Sequence, residues 1–325
     1  MIYKIGFAEV SYMDQKQILE QIQNVRHNMQ KIMVGKDAAV NLLLIALLSN
    51  GHALLEDVPG IGKTTMVYSL ARSLACSFAR IQFTPDVMPS DITGFSIFNM
   101  KTQEFEFRPG PVLHQIILAD EINRTSPKTQ SSLLEIMQEH QVTVDGITYP
   151  LPAPFMVLAT QNPIEHAGTF PLPEAQLDRF CLSIHMGYPT VEQEMMIMTR
   201  VDESPPASTL QPVILSQTIT ELQEAARNIY CADSIKQYIA KIAAATRKHP
   251  DLKLGISPRA SIHLMQTSKA LALLEGRDYV TPQDVKQMCL PVLAHRLSLR
   301  SESNAAGKTP DGVLTELLHT LPVPK

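Results

Sequence analysis

The sequence predicts an α/β core, a parallel sheet between helices with two inserted β-hairpins, followed by a small all-α domain. Three observations carry this. Short apolar runs alternate with helical patterns up to about residue 189. One of them, His52–Leu55, ends in a glycine-bearing loop that opens directly into a helical stretch. Beyond Pro189 the strand signals stop and helix-opening signatures take over.

Composition permits such a fold and excludes several others. The 325 residues are 45% hydrophobic, enough for about two domains with buried cores. Lys and Arg number 28 against 32 Asp and Glu, a net charge of -4, unlike a strongly basic nucleic-acid binder. Cys76, Cys181, Cys231 and Cys289 lie far apart with no C-x-x-C, so buried free thiols are expected rather than a disulfide or metal scaffold. The N-terminal MIYKIGFAEVSYMDQ lacks the basic-then-apolar pattern of a signal peptide. The most apolar stretch, Ala39–Leu55, is broken by Asn41, Ser49, Asn50, Gly51 and His52 and is too short and polar to span a bilayer. A soluble, cytoplasmic protein is the expectation. The 23 Pro outnumber the 14 Gly, so connections should be stiff and glycines reserved for positions no other residue tolerates.

Taken in order, Ile18, Ile22, Val25, Met29 and Ile32 recur at steps of four and three, the stripe of an amphipathic helix. Residues 1–33 thus form a helical extension packed on a core of residues 34–189. Asp37 is expected to cap a second helix. Arg80–Phe83, Gln115–Ala119, Phe155–Ala159 and Cys181–Met186 read as strands buried on both faces, with Pro127–Gln138 the clearest helix among them. Gly94–Pro109, with Phe95, Phe98, Phe105 and Phe107, and Gln141–Pro152, with an Asp145-Gly146 turn, read as hairpins. The aromatics are expected to pack their hairpin onto its own domain, and Met195, Met196 and Met198 to fill the core. Thr190–Gln193 and Thr218–Glu221 fit the capping box, and Ser257-Pro258 and Thr281-Pro282 place Pro at a first helical position. Residues 190–212 read as helix and linker, and 213–325 as the helical domain.

Chemistry concentrates at Gly60-Ile61-Gly62-Lys63-Thr64, between strand and helix. Glycines let backbone amides converge on phosphate oxygens, and the helix N-terminus favours negative charge. Lys63 would reach the β- and γ-phosphates and Thr64 would hold Mg²⁺. The general loop pattern has Gly where this chain has Asp57, whose carboxylate would repel phosphate unless turned away. Gly307-Lys308-Thr309 follows no strand and is discarded. Ile116–Glu121 supplies a buried strand ending in paired acids 57 residues after Lys63. Neighbours on a strand point different ways, so Asp120 can serve the metal while Glu121 acts as general base towards water. Asn162 ends another strand. Arg179 follows Asp178. Arg259 sits just inside a helix start, where the macrodipole disfavours a cation, so it needs an anionic partner, a nucleotide or a salt bridge.

The segments EDVPGIGKTT, ILADEINRTSPKTQSSLLEIMQE, VLATQNPIEHAGTFPLPEAQLDRF and GISPRA together resemble the MoxR family of AAA+ ATPases, over about residues 20–300. The resemblance implies a P-loop AAA+ core with a helical lid, and a ring, usually a hexamer, with ATP and Mg²⁺ at subunit boundaries. It makes Asp57, Val58, Pro59, Gly60, Ile61, Gly62, Lys63, Thr64 and Thr65 the Walker A loop, Asp120 and Glu121 the Walker B pair, and Asn162 the first sensor. Arg259 becomes the second sensor and Arg179 the finger reaching a neighbour's site. ATP would then lie between Arg179 of one subunit and Lys63, Asn162 and Arg259 of the next. It further implies chaperone-like remodelling or cofactor insertion on a protein client, with a partner carrying a von Willebrand factor A domain. A metal-chelatase motor subunit, a DNA motor and a non-hydrolysing switch are the alternatives. Residues 34–189 carry 9 basic and 15 acidic side chains, which disfavours DNA. Glu121 disfavours the switch.

Overall fold

The computed structural model describes residues 14–58, 60–161, 169–203 and 207–324. Its centre is a five-stranded sheet of β1 (Ala53–Glu56), β2 (Phe78–Gln82), β5 (Ile116–Asp120), β8 (Met156–Gln161) and β9 (Leu182–Ile184). The spatial order is β2-β5-β8-β1-β9 and every pairing is parallel. Successive residues of a strand face opposite sides. Accordingly Ala53 and Leu55 join the apolar cluster formed with α1 (Gln15–Gln30), α2 (Asp37–Leu48) and α3 (Lys63–Ser73), while Leu54 joins the cluster on the other face with α4 (Pro89–Thr93) and α5 (Pro127–Glu139).

The expected strands are present, with one correction. β2 is an edge strand, and of its five residues only Ile81 is buried. Arg80 and Gln82 alternate with Ile81 and turn a polar face outward.

Both hairpins form: β3 (Gly94–Asn99) with β4 (Glu104–Pro109), and β6 (Gln141–Val144) with β7 (Ile147–Pro150). Asp145 (φ 51°) and Gly146 (φ 80°) supply the two positive φ values of the tight turn. Phe107 stacks on Tyr149 of the second hairpin, with centroids 4.2 Å apart and planes 14° apart. The other aromatics correct the expectation. Phe98 and Phe105 pair edge-to-face across the strands, yet they are 51% and 74% exposed, and Phe95 is 48% exposed. Alternation puts Phe98 and Phe105 on the same face as Phe107, but only Phe107, near the root of the ribbon, is covered.

After the short α6 (Glu174–Leu177) and β9, α7 (Val191–Glu203) leaves the core through the capping box at Thr190, formed as expected. Its Met195, Met196 and Met198 are exposed rather than core-filling. The chain then runs along α3, where the Ser73 carbonyl accepts from the amides of Val213 and Ile214. It continues as α8 (Ser216–Asn228), α9 (Asp233–Lys248), β10 (Leu252–Leu254), α10 (Pro258–Leu274), α11 (Pro282–Leu293), β11 (Ser298–Leu299), α12 (Ser301–Ala305) and α13 (Pro310–Thr320). The helical domain therefore also carries a short antiparallel β10–β11 ribbon that the sequence did not announce. Ser257 and Thr281 cap α10 and α11 as read. Thr218 does not cap α8, because the helix begins at Ser216 and Thr218 lies within its first turn. Asp37 does not cap α2 either; its carboxylate accepts from Gln30 across the α1–α2 break. The cluster on the α1–α3 face of the sheet continues into α8–α11 and α13, so this lid packs behind the core.

Candidate nucleotide site

The buried strand β1 aims the phosphate loop out of the sheet. Gly60 (φ 85°) and Gly62 (φ 92°) both hold left-handed conformations, which a side chain would strain. A Cβ at Gly60 would meet nothing within 4 Å, so open space for a ligand lies over the loop. Asp57 does not repel this space. Its carboxylate turns away and accepts from the backbone amides of Met186 and, at 3.2 Å, Gly187. Its carbonyl accepts from Lys63 Nζ at 2.7 Å. Burial lowers the Lys63 pKa, while Asp120, Asp57 and Glu121 pull it upward. Val58, Ile61 and Thr64 are half-buried in the loop and first turn, and Thr65 is exposed. Pro59 and Asn162 lie outside the described residues.

Opposite the loop, β5 ends in Asp120, and Glu121 follows at φ 57°, an uncommon conformation for a side-chain-bearing residue. Its kink separates the two carboxylates. The buried Thr160 hydroxyl links the Asp120 carboxylate to the Glu121 backbone, donating to the first at 2.7 Å and accepting from the Glu121 amide at 2.8 Å. Arg80 pairs with Asp120 at 2.6 Å. Gln82 donates to the Glu121 carboxylate at 2.8 Å, and Arg124 pairs with it at 3.0 Å. Lys63, Thr64, Asp120 and Glu121 line one cleft of about 350 Å³, with Arg80, Gln82 and Thr160 in its wall. A second, more apolar lobe of about 370 Å³ shares Gly60, Gly62 and Thr65 and is walled by Met33, Val34, Ile61, Tyr188 and Ile197. A polar lobe joined to an apolar one suits a molecule with phosphates at one end and a flat ring at the other.

The arginines are elsewhere. Cys181 donates to the His52 carbonyl just before β1, so Asp178 and Arg179 sit at the end of the sheet opposite the loop. Roughly 13 Å of strand intervenes, four residues at about 3.3 Å each. Arg259 lies there too, 3.9 Å from Asp178. Sequence reasoning grouped Arg259 with Lys63 of its own chain; the structure groups it with Arg179, because α10 docks its N-terminus against the α6–β9 turn. Arg179 makes no ion pair among the described residues, its Nε is buried without a partner, and burial and the nearby Arg259 lower its pKa.

Comparison with known proteins fits this geometry. Residues 52–182 match the family described as "ATPase family associated with various cellular activities (AAA)", and residues 244–317 match its lid domain. YeaC of Bacillus subtilis is 52% identical over 91% of this chain and 93% of its own. Chaperone MoxR1 of Mycobacterium tuberculosis is 44% identical over 91% of this chain and 80% of its own. The chain belongs to the MoxR family of AAA+ ATPases. A crystal structure from Cytophaga hutchinsonii superposes on this MoxR-family chain with a TM-score of 0.90 at 39% identity, covering 96% and 97% of the two chains.

Sequence reasoning missed four groups in this ATPase site: Arg80, Gln82, Arg124 and Thr160. The first two carried a signal, since polar residues at alternate positions of a strand mark one face as unburied. Thr160 and Arg124 gave none. For a metal, the Thr64 hydroxyl and Asp120 carboxylate are hard oxygen donors, and no larger cluster of His, Cys, Asp or Glu converges among the described residues. So sparse a set fits Mg²⁺, which keeps several waters and takes further ligands from phosphates.

Proposed function

We propose that the protein is a ring-forming, Mg²⁺-dependent ATPase whose sites are completed by a neighbouring subunit and whose motion remodels a protein client. One observation carries this reading. The loop and acids face one cleft, while Arg179 and Arg259 stand together at the opposite end of the sheet. A head-to-tail arrangement of copies brings the second set to the first.

Lys63 and the loop amides bind the phosphates. Thr64 and Asp120 would hold Mg²⁺, which supplies charge neutralisation between the β- and γ-phosphates. Glu121 accepts the proton of the attacking water, with Gln82 and Arg124 orienting its carboxylate. For Asn162, which lies outside the described residues, the family resemblance implies a first-sensor role towards the same water. The neighbour's Arg179 and Arg259 would stabilise charge on the transferred phosphoryl group, where one such arginine is worth roughly 10³–10⁵ in rate. The apolar lobe takes the base. Chaperone-like work on a client is supported by the name of the M. tuberculosis relative, and the von Willebrand factor A domain partner and six-membered ring are what the family resemblance implies.

The test is subunit mixing. Lys63→Ala and Arg179→Ala are each expected to be inactive alone. Mixed, they leave some sites with an intact loop and an intact neighbouring arginine, so turnover returns in part. No recovery from a mixture that assembles overturns the shared site.

A further inference from the structure

Asp178 precedes Arg179 and is more heavily engaged than a turn residue requires. Both of its carboxylate oxygens accept from Ser257 Oγ, at 2.8 and 2.9 Å, and one accepts from Arg296 Nε at 3.0 Å. Ser257 is the N-cap of α10, two residues before Arg259. Arg296, just past α11, has a side chain only 3% exposed. Its fork also donates to the carbonyls of Asp178 (3.3 Å), Phe180 and Cys181 (3.3 Å), on both sides of Arg179. A further bond of 2.7 Å joins it to His263 Nδ1 on α10.

Three arginines thus divide the work. Arg179 and Arg259 keep free donors, while Arg296 spends its guanidinium on the backbone that carries one and the helix that carries the other. Burying a cation brings a desolvation penalty, and a well-packed apolar side chain commonly stabilises as much or more. Burial pushes the Arg296 pKa down to about 10, opposed by Asp178. Five directed donors on a planar fork supply what an apolar residue does not, a fixed orientation.

We infer that Arg296, through Asp178 and Ser257, is a positioning residue that joins Arg179 of the core and Arg259 of the lid into one rigid arginine pair presented to the neighbouring subunit's nucleotide. The inference rests on the shared-site reading above. Lid and finger then cannot shift independently, so any rotation of the lid changes the neighbour's rate of hydrolysis before its own.

The experiment uses the full-length chain with Arg296→Met and the gentler Arg296→Lys, which keeps the charge but loses the fork. Each variant retains its own loop and acids, so ATP should bind with unchanged affinity while kcat falls about 10- to 100-fold, less for Arg296→Lys. Mixing Arg296→Met with Lys63→Ala subunits should restore turnover, because the Lys63→Ala neighbour supplies a correctly held Arg179. Mixing it with Arg179→Ala should not. If Arg296→Met fails to fold, Arg296→Lys carries the same two mixtures. Wild-type kcat in Arg296→Lys, or no recovery with Lys63→Ala where the control mixture of Lys63→Ala with Arg179→Ala does recover, overturns the inference. If the control mixture of Lys63→Ala with Arg179→Ala fails to recover, the shared site falls and this inference falls with it.

Discussion

The two ends of the central sheet handle charge in opposite ways. At the loop end every charged group already has an internal partner: Lys63 on the Asp57 carbonyl, Arg80 on Asp120, Arg124 and Gln82 on Glu121. At the other end Asp178 is engaged by Arg296 and Ser257, Arg259 approaches it at 3.9 Å, and Arg179 is left without an ion pair among the described residues. The first end balances its charges internally, and the proposed nucleotide would have to displace these partners. The second holds an uncompensated cation ready for an anion supplied from outside.

The largest effect should come from removing that outward cation. Arg179→Ala is expected to lower turnover about 10³-fold or more while nucleotide binding to the isolated chain is kept, measured by phosphate release and by fluorescent-nucleotide titration. Glu121→Gln removes the base from the balanced end and should slow hydrolysis about 10²–10⁴-fold, trapping ATP in a filter-binding assay. If the two variants lost binding equally, the contrast between the ends would fail.

Acid should separate the ends by stability. His52 is buried and His263 and His295 are half-buried at the arginine end, and desolvation lowers each pKa, to about 4 for His52 and about 3 for His263. His52 is neutral by its bonding as well, since Nδ1 accepts from the Val157 amide while Nε2 meets the Met137 carbonyl. The unfolded chain protonates these histidines below about pH 6.5 while the folded chain does not, so stability is full above that pH and falls towards pH 4. For His52, the fully buried one, the loss at pH 5 is about 2 kcal/mol, read from urea midpoints at pH 7 and 5. Hydrogen exchange should locate the early opening at β9 and the α10–α11 segment.

A smaller effect sharpens the balanced end. Arg80→Gln removes the guanidinium that neutralises Asp120, so half-maximal turnover should need a few-fold less Mg²⁺. A higher requirement would show that Arg80 assists the metal. Smallest of all, Phe98→Ala and Phe105→Ala should each cost about 1 kcal/mol or less in thermal melts, since both rings are largely exposed.

The loop end was far more legible in sequence than the arginine end, for a physical reason. A phosphate loop is local: glycines, Lys63 and Thr64 act within five consecutive residues, and the paired acids end one apolar run. The doubtful Asp57 is the exception at this end, because its carboxylate turns to the amides after β9, 129 and 130 residues away in the chain. Arg259 is a tertiary problem. Its company is set by how α10 docks on the turn before β9, which no periodicity in residues 257–274 encodes. The capping-box match at Thr218 failed in the same way, since α8 buries Ile219, Leu222 and Ala226 in a packing that starts its first turn earlier than the pattern indicates. The hairpins were legible as hairpins, through Asp145-Gly146 and strand alternation. Their exposure was not, because alternation tells which residues share a face but not whether anything covers it.

The stacking of Phe107 on Tyr149 has a mechanical consequence. Two ribbons inserted at separate places along the chain are clamped ring to ring near their roots. So joined they form a two-tined fork, with the Phe98–Phe105 pair on one tine and the exposed Ile147 on the other. Whatever such a fork touches, it touches at two points at once. Cutting the stack with Tyr149→Ala would turn one stiff tool into two independent whiskers without altering either tip.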